Sequence, residues 1–585
     1  MGVLGINDSA NSGSSLANNG ELLFAVNEER FTGLKNDVGF PYGSIKYIHE
    51  NSNDDEIDAI ALGWIGGNAL FARLFPGMDE KRRKVWRREA DKPSRLSLYL
   101  SNSAYGLVLN QRPRWFWKAV STPISTHIAK RRLSAVSGGL ASKRIYLVEH
   151  HTAHAASAYY TSGFKNALVV TLDGSGDGIS GSVSIGDNGE LSRLTEFKAT
   201  ASLGIFYGAA TVACDMRYGE DEGKLMSLAA YSYPAEIKQL EGFPRYNTET
   251  RALESRIRTA RELYLGEYMK DHILSRCDRE SFAYAVQKHV EREVLKLVGQ
   301  WVKETKMSRI ALAGGFFSNV KVNSLIEHMD GVKEVFVFPN MGDGGLSTGA
   351  AAYIDFMLNG KPPKQAKDMY TGPSYTYDEI ERSIKKWYKG KRGFEYDEIG
   401  DPASYAAELI ADKNKIVLWF QGRMEFGPRA LGNRSVLALP NYEENRNILN
   451  LIIKKRPYYQ PFASTVLEEE ADSLFEDYVM PNRFMTSANV VRKEHIGDLV
   501  AASHIDHTTR PQTLGDENPL YRKLIKKIRR KTGIGAILNT SLNKHGKPIV
   551  MKPEDAFWTL ENTGADTLVI GNFVVSKKKG GRQST

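Results

Sequence analysis

His150 and His154 stand four residues apart in the run EHHTAHAASAYY, and Asp173 follows in VVTLDGSGDG. At i and i+4 the two imidazoles share one face of a helix, close enough to hold one metal ion. The second run reads as a buried strand that stops at Asp173 and turns through glycines to Asp177. A carboxylate beside bare backbone N–H groups suits a phosphate or a metal. The plain alternative for the pair is an ordinary surface, since imidazoles also occur there without a ligand. A third segment, NMGDGGLSTGAA, sets Asp343 between the strand-like KEVFVFP and a helix expected over residues 346–356. A fourth, SRIALAGGFFSNVKVNSLI, puts Gly314 and Gly315 at a strand-to-helix turn with Asn319 behind them. Glycines there let a ligand approach the main chain at a helix N-terminus. One such turn alone also serves as a plain connection; two in one domain favour a nucleotide cleft.

A second chemistry lies downstream. Arg423, Arg429 and Arg434 crowd twelve residues of GRMEFGPRALGNRS around a single acid, Glu425. Guanidinium forks among glycines suit oxyanions. Lys454 and Arg456 follow in IIKKRPYYQPF, Arg510 in ASHIDHTTRPQTL, and Asn539, Ser541 and Asn543 in AILNTSLNKHGKPIV. The set reads as a pocket for a phosphate-bearing small molecule. Surface arginines paired with acids are the alternative for any one of them.

The elements that must position these groups come in two copies. VLGINDSANSGSSLANNGELLFAVNEER and LVVTLDGSGDGISGSVSIGDNGELSRLTEF, about 165 residues apart, share one order. Each is a strand, a small-residue turn, a strand, an Asn-Gly hairpin and a strand. This predicts an α/β fold with a duplicated domain of the actin/hexokinase ATP-binding type and a cleft between its halves. The Pro- and Lys-rich stretch 361–372 reads as a linker between a first domain, 1–360, and a second, 373–585. The second opens on an amphipathic helix, TYDEIERSIKKWYKG, with a Thr cap.

A chain of 585 residues can build two full cores. No stretch approaches ~20 apolar residues, and MGVLGIND lacks the pattern of a secretory signal. Two cysteines, Cys214 and Cys277, exclude a disulfide framework or a cysteine zinc site and fit a reducing, cytoplasmic setting. The net charge of +9 is uneven, with KRRKVWRREADKPSR at 81–95, RPRWFWK at 112–118 and KRR at 130–132. This basic insertion near 70–140 reads as a solvated helical segment whose aromatic residues pack on the body. A surface for nucleic acid, anionic glycan or membrane is the alternative, and no nucleic-acid partner is expected. The tail KKKGGRQST reads as a disordered end.

NEERFTGLKND, EHHTAHAASAYY, LDGSGDG, SLGIFYGAAT, GEDEGKLMSLAAY, AGGFFSNVKVN, GDGGLSTGAA, GRMEFGPRALGNRS, NTSLNKHGKPIV and MKPEDA occur in this order. With them the chain resembles, over nearly its whole length, the O-carbamoyltransferase family of nodulation-factor, cephalosporin and aminoglycoside carbamoyltransferases. The resemblance implies a first domain like the threonylcarbamoyl-transfer protein of tRNA modification and a second like threonylcarbamoyl-adenylate synthase. It implies that carbamoyl phosphate and ATP, with Mg2+, give carbamoyl adenylate in the second domain. The first then moves the carbamoyl group to a hydroxyl of a small-molecule or sugar acceptor. Arg429, Arg434, Lys454, Arg456, Arg510, Asn539, Ser541 and Asn543 would hold carbamoyl phosphate. Asp173, Gly174, Gly176, Glu222, Lys224, Gly314, Gly315, Asn319 and Asp343 would face the nucleotide. His150, His154 and Asp343 would bind a divalent ion, with iron(II) favoured and zinc or manganese left open. A homodimer is compatible with this reading.

The chain departs from the family pattern at one telling position. A histidine usual in the family shortly after the first strand, a candidate base for the acceptor hydroxyl, is here Ala10. Either another group does its work, with Lys35 and Asp173 as candidates, or transfer is impaired, or Ala10 is a replacement. Gln460 stands where the family tends to have Arg, and Ser464 where it tends to have Pro. A sugar kinase or other phosphotransferase of the same ATP-binding type is the alternative activity; it has no need of a second anion pocket.

Overall fold

The computed structural model describes residues 1–52, 56–87, 89, 91, 94, 96–97, 114–257, 261–362 and 364–578. Part of the basic insertion and the end of the tail therefore lie outside the described residues, as do the side chains of Trp115 and Trp117. The chain divides into two compact units, Met1–Thr32 with Asn36–Ala366, and Gly33–Lys35 with Lys367–Thr585.

The first unit holds two five-stranded sheets built alike. β1 (Gly2–Asn7), β2 (Gly13–Asn18) and β3 (Glu21–Asn27) form an antiparallel meander, and β4 (Ala59–Leu62) and β5 (Arg144–Leu147) extend it in parallel on the β1 side, in the order 3-2-1-4-5. Helices α1 (Gly67–Leu74), α2 (Pro76–Trp86) and α3 (Arg114–Leu133) lie between β4 and β5 in sequence. β6 (Asn166–Gly176), β7 (Ile179–Asp187) and β8 (Glu190–Lys198) repeat the meander, and β9 (Arg309–Ala313) and β10 (Glu334–Val337) the parallel extension, in the order 8-7-6-9-10. Both expected hairpins form, with Asn19 and Gly20, then Asn188 and Gly189, at positive φ as a type I′ turn demands.

Two helices join the sheets. α4 (His150–Ser162) packs on β6 and β9, α5 (Leu346–Asn359) packs on β1 and β2, and the two pack on each other. Their contact is close because it is made of small residues. Ala153, Ala155, Ala156 and Ala158 are buried on α4, and a Cβ on Gly349 of α5 would lie 1.7 Å from the Ala153 carbonyl oxygen. This tight pair sets the histidines of α4 beside Asp343, which opens the turn before α5.

The second unit is one eight-stranded mixed sheet with helices on both faces. Its central strand, β11 (Val417–Phe420), shows why: Leu418 and Phe420 enter one core, Val417 and Trp419 the other. That is the period-two pattern of a strand buried on both sides. The first core takes Ile380 and Ile384 of α6 (Tyr377–Tyr388). The second takes Ala403, Ala406 and Ala407 of α7 (Pro402–Ala411) and Leu524, Ile525 and Ile528 of α8 (Pro519–Thr532). α6 carries the expected cap as a full capping box between Thr376 and Glu379, an arrangement worth ~1 kcal/mol.

Candidate functional site

In the first unit His150 is the first residue of α4 and its main-chain N–H donates to Asp177 at 2.9 Å. The same carboxylate accepts from Gly66 at 2.5 Å and Ile65 at 3.2 Å. The oxygens of Asp177, at the far end of the glycine turn, fasten the helix start to the loop after β4. Trp64, in that loop, stands edge-on to the His150 ring at 4.7 Å.

His150, His154, Asp173 and Asp343 present one donor atom each within 4.8 Å of one another. His150 Nε2 lies 3.2 Å from Asp173 Oδ2 and 3.6 Å from Asp343 Oδ1; His154 Nε2 lies 3.8 and 3.5 Å from the same atoms. Both rings are fully buried, and their Nε2 atoms face each other at 3.1 Å. One neutral imidazole can donate Nε2–H to the other, and the two carboxylates beside them favour an added proton or a cation at the same point. Burial works against a charged His154, yet its bonds to Asp173 and Asp343 push it up to about 9. Burial would raise the Asp173 carboxyl, but His150 and His154 hold it well below the usual carboxylate range. Two nitrogens and two carboxylates with mutual attraction form a donor set that fits a divalent transition metal. Asp173 thus stands with the three side chains that the sequence reading offered as metal ligands. Its Oδ1 is fixed by the Gly315 N–H at 2.9 Å.

This cluster opens on a cavity of about 870 Å³ lined by Asp173, Gly174, Gly315, Asn319, Glu222 and Asp343, among others. Gly314 is not on the wall but behind it: at φ 101° a Cβ would meet the Leu172 carbonyl oxygen at 2.0 Å. Gly176 likewise makes room, here for the His150 ring, 2.2 Å from where its Cβ would be. Burial pushes the Glu222 carboxyl up to about 7. Lys224 departs from the expectation: it pairs with Asp221 at 2.8 Å and does not line the cavity. Ala10 does line it. Lys35, expected near the transfer chemistry, belongs to the second unit, and His151 is enclosed by Thr171 at 2.9 Å and the Ile179 carbonyl at 3.2 Å.

Sequence reading missed Asn7, buried at the end of β1. Its Nδ2 donates to the carbonyls of Ala10 at 2.8 Å, Asn11 at 3.2 Å and Asp343 at 2.8 Å, tying the Ala10 loop to the Asp343 turn. A polar residue ending an apolar strand was its only signal. Missed too was the role of the basic run, since Arg83, Trp86 and Arg87 line the cavity. The expected packing of its aromatic residues does hold for Trp86, whose ring lies tilted against that of Tyr218 at 5.1 Å and which donates to Glu262 at 2.7 Å.

In the second unit the loop after β11 is organised by its one acid. Buried Glu425 accepts the main-chain N–H groups of Leu431, Asn433 and Arg434 at 2.8, 2.9 and 3.0 Å. The three arginines then part ways. Arg434 is fully buried, stacks over Phe420 at 3.6 Å and spends its Nη atoms on the carbonyls of Gln421, Gly422, Asn433 and Pro373. It is a strut of the loop, not the free phosphate ligand expected. Arg423 donates to the Thr371 carbonyl at 2.8 Å. Arg429 makes no hydrogen bond or ion pair among the described residues.

Arg429 belongs instead to a cationic group with Arg456 and Arg510. Burial lowers Arg429 to about 10; burial and then Arg429 lower Arg456 to about 9. Burial, Arg429 and Arg456 together press Arg510 well below its ordinary range. Guanidinium stays charged under such pressure, so the shifts record burial first and, at Arg456 and Arg510, repulsion from neighbouring cations, with no acid among the described residues set against them. Arg456 is braced by Asn450 at 2.7 Å and lies over Phe462. Lys454 is pressed down by burial, Arg456 and Lys35, and donates to Asn543 Oδ1 at 2.7 Å and to the Ser541 carbonyl. Asn539 donates to the Ala430 carbonyl at 3.1 Å, and its Oδ1 is buried without a partner. Gln460 Oε1 is also buried and unpartnered, and Ser464 sits inside a strand at 3.4 Å from the Thr509 hydroxyl.

The comparisons with known proteins match both units. Residues 2–352 fit the family model described as carbamoyltransferase N-terminus, and residues 407–577 the one described as carbamoyltransferase C-terminus. The chain belongs to the carbamoyltransferase family. The "Uncharacterized protein MJ1058" of Methanocaldococcus jannaschii is 34% identical, over 95% of this chain and 96% of its own length. The nodulation protein NolNO of Sinorhizobium fredii is 32% identical, over 96% of this chain and 78% of its own. A 3'-hydroxymethylcephem-O-carbamoyltransferase of Amycolatopsis lactamdurans is 29% identical, over 62% and 66%. The family and these relatives support a transferase. No helix among the described residues is long and apolar enough to cross a membrane.

Proposed function

We propose that the chain is an ATP-dependent O-carbamoyltransferase working in two half-reactions, adenylate formation in the second unit and group transfer in the first. The observation that carries this reading is that residues 407–577, which fit the carbamoyltransferase C-terminus, bring together Arg429, Arg456 and Arg510 with no acid set against them among the described residues. A dianionic phosphate relieves their repulsion, and each charge-assisted bond is worth ~1.5–3 kcal/mol. In a carbamoyltransferase the fitting dianion is carbamoyl phosphate, with Lys454, Ser541 and Asn543 as a second arm of the pocket.

For the atoms to balance, water cleaves the carbamoyl–phosphate bond and inorganic phosphate leaves. An oxygen of the resulting carbamate attacks the α-phosphorus of ATP, and pyrophosphate departs. The arginines stabilise the negative charge at each stage, and Mg2+, when bound, neutralises the nucleotide phosphates. The second unit is thus read as an adenylate-forming domain of the threonylcarbamoyl-adenylate-synthase type. The doubled sheets of the first are read as the actin/hexokinase type, with the adenylate lying along Asp173, Gly174, Gly315 and Asn319. There the acceptor hydroxyl attacks the carbamoyl carbon and AMP leaves. A divalent ion at His150, His154, Asp173 and Asp343, iron(II) by preference, would supply Lewis-acid polarisation of an adenylate oxygen. Asn7 holds the Ala10 loop to the Asp343 turn, so the acceptor's side of the cavity and the ligand cluster keep one geometry.

The test is pyrophosphate release from ATP in the presence of carbamoyl phosphate. Arg429→Ala and Arg510→Ala are each expected to lower it by ten- to hundredfold, the rate equivalent of one lost charged bond. Unchanged release in both variants removes the second unit from the chemistry.

A further inference from the structure

We propose that Arg83 holds an oxyanion of the acceptor in the cavity of the first unit, so that the acceptor is an acidic hydroxyl compound, a sugar or alcohol bearing a carboxylate or phosphate. This rests on the transfer reading above and narrows its substrate class.

Arg83 is 6% exposed, and its Nε and Nη1 are buried without a hydrogen-bond partner among the described residues. A guanidinium with unmet buried donors is costly unless something occupies them. Among the described side chains, the acids on and beside this wall have other partners, Glu222 accepting from the Gly219 main chain at 2.6 Å. Glu80, one turn back, pairs with Lys84 at 3.0 Å; Glu220 pairs with Arg87 and Arg217, each at 3.1 Å; Glu262 accepts from Trp86. What remains for Arg83 is the cavity it lines.

The same wall is amphipathic. Phe71, Ala72, Trp86 and Tyr218 line the cavity beside the arginine, a combination that takes the apolar face of a sugar ring or carbon chain while the guanidinium takes its acid. Arg83 also belongs to the half that carries Ala10. α2, with Phe71 and Ala72 of α1, hangs from the connection after β4, in the sheet that ends β1 at the Ala10 loop. The glycine turns for the nucleotide come from β6, β9 and β10 in the other sheet. One small-molecule site commonly takes ~300–1,000 Å³, so a cavity of about 870 Å³ has room for a nucleotide and a compact second molecule.

The experiment titrates the full chain, with and without saturating ADP, with glucose 6-phosphate, gluconate and glucose, in wild type, Arg83→Gln and Arg83→Lys. The first two probes separate a phosphate from a carboxylate preference. At least one acid is expected to bind tenfold or more tighter than glucose, and Arg83→Gln to lose that margin. Arg83→Lys should recover part of it, with ADP affinity within twofold throughout. The arginines of the second unit attract the same acids, so only binding lost in Arg83→Gln is assigned to this site. Equal affinity for all three probes, no binding of either acid, an unchanged Arg83→Gln, or a loss confined to ADP overturns the proposal. Wild-type pyrophosphate release judges the transfer reading separately: a protein that fails it but binds acids through Arg83 loses the reading and keeps the site.

Discussion

The four donor atoms of the first unit have one property that none has alone: two imidazole nitrogens meet at 3.1 Å beside two carboxylates, a set that could hold a metal ion. The double variant His150→Ala, His154→Ala is therefore expected to purify with less than a tenth of the wild-type metal content by elemental analysis. Pyrophosphate release should stay within twofold, because that chemistry is assigned to the other unit. Ala10 calls for a gain-of-function test. An alcohol is a weak nucleophile at neutral pH, and a positioned imidazole typically contributes two to four decades. Ala10→His should raise single-turnover transfer from preformed carbamoyl adenylate by tenfold or more; equal rates would mean that position 10 offers no route for the proton. The closeness of the two imidazoles was legible from spacing, since i and i+4 on a helix fixes two side chains side by side. Asp177, Lys224 and Arg434 were not. Sequence displays their charge, whereas main-chain groups or acids brought in by folding decide how it is spent.

Elements decide how exact the site is. α4 and α5 touch through alanines and Gly349, which leaves no space for another carbon. Gly349→Ala is expected to cost about 1–3 kcal/mol through overpacking, read as a lower thermal midpoint. It should also lower metal occupancy by more than half, because the histidines and Asp343 ride on the two helices that must part; normal metal content in a destabilised protein would break that link. The hairpins, the helix of the histidines and the capped helix α6 were legible because their signals are local: Asn-Gly at a I′ turn, 3.6-residue periodicity, Thr and Glu three apart. What stayed hidden was tertiary. Nothing in KRRKVWRRE says that one guanidinium turns into a cavity, or that Glu425 will gather three N–H groups from its own loop.

At the scale of the whole molecule the chain holds two groups of side chains in two units, a His/Asp cluster on a cavity of about 870 Å³ and a set of arginines with no acid set against them among the described residues. The duplication that builds the first unit was legible as a repeat, because both copies keep the same strand order, 3-2-1-4-5 and 8-7-6-9-10. The assignment of Gly33–Lys35 to the second unit was not, since no local pattern marks three residues that leave their neighbours. The central claim is that carbamoyl phosphate directs ATP to adenylate formation, and product analysis by 31P NMR tests it most directly. Wild-type protein with ATP, Mg2+ and carbamoyl phosphate is predicted to form pyrophosphate and inorganic phosphate, followed by AMP, with none of these when carbamoyl phosphate is left out. Formation of ADP in place of AMP and pyrophosphate, or ATP turnover indifferent to carbamoyl phosphate, would contradict it.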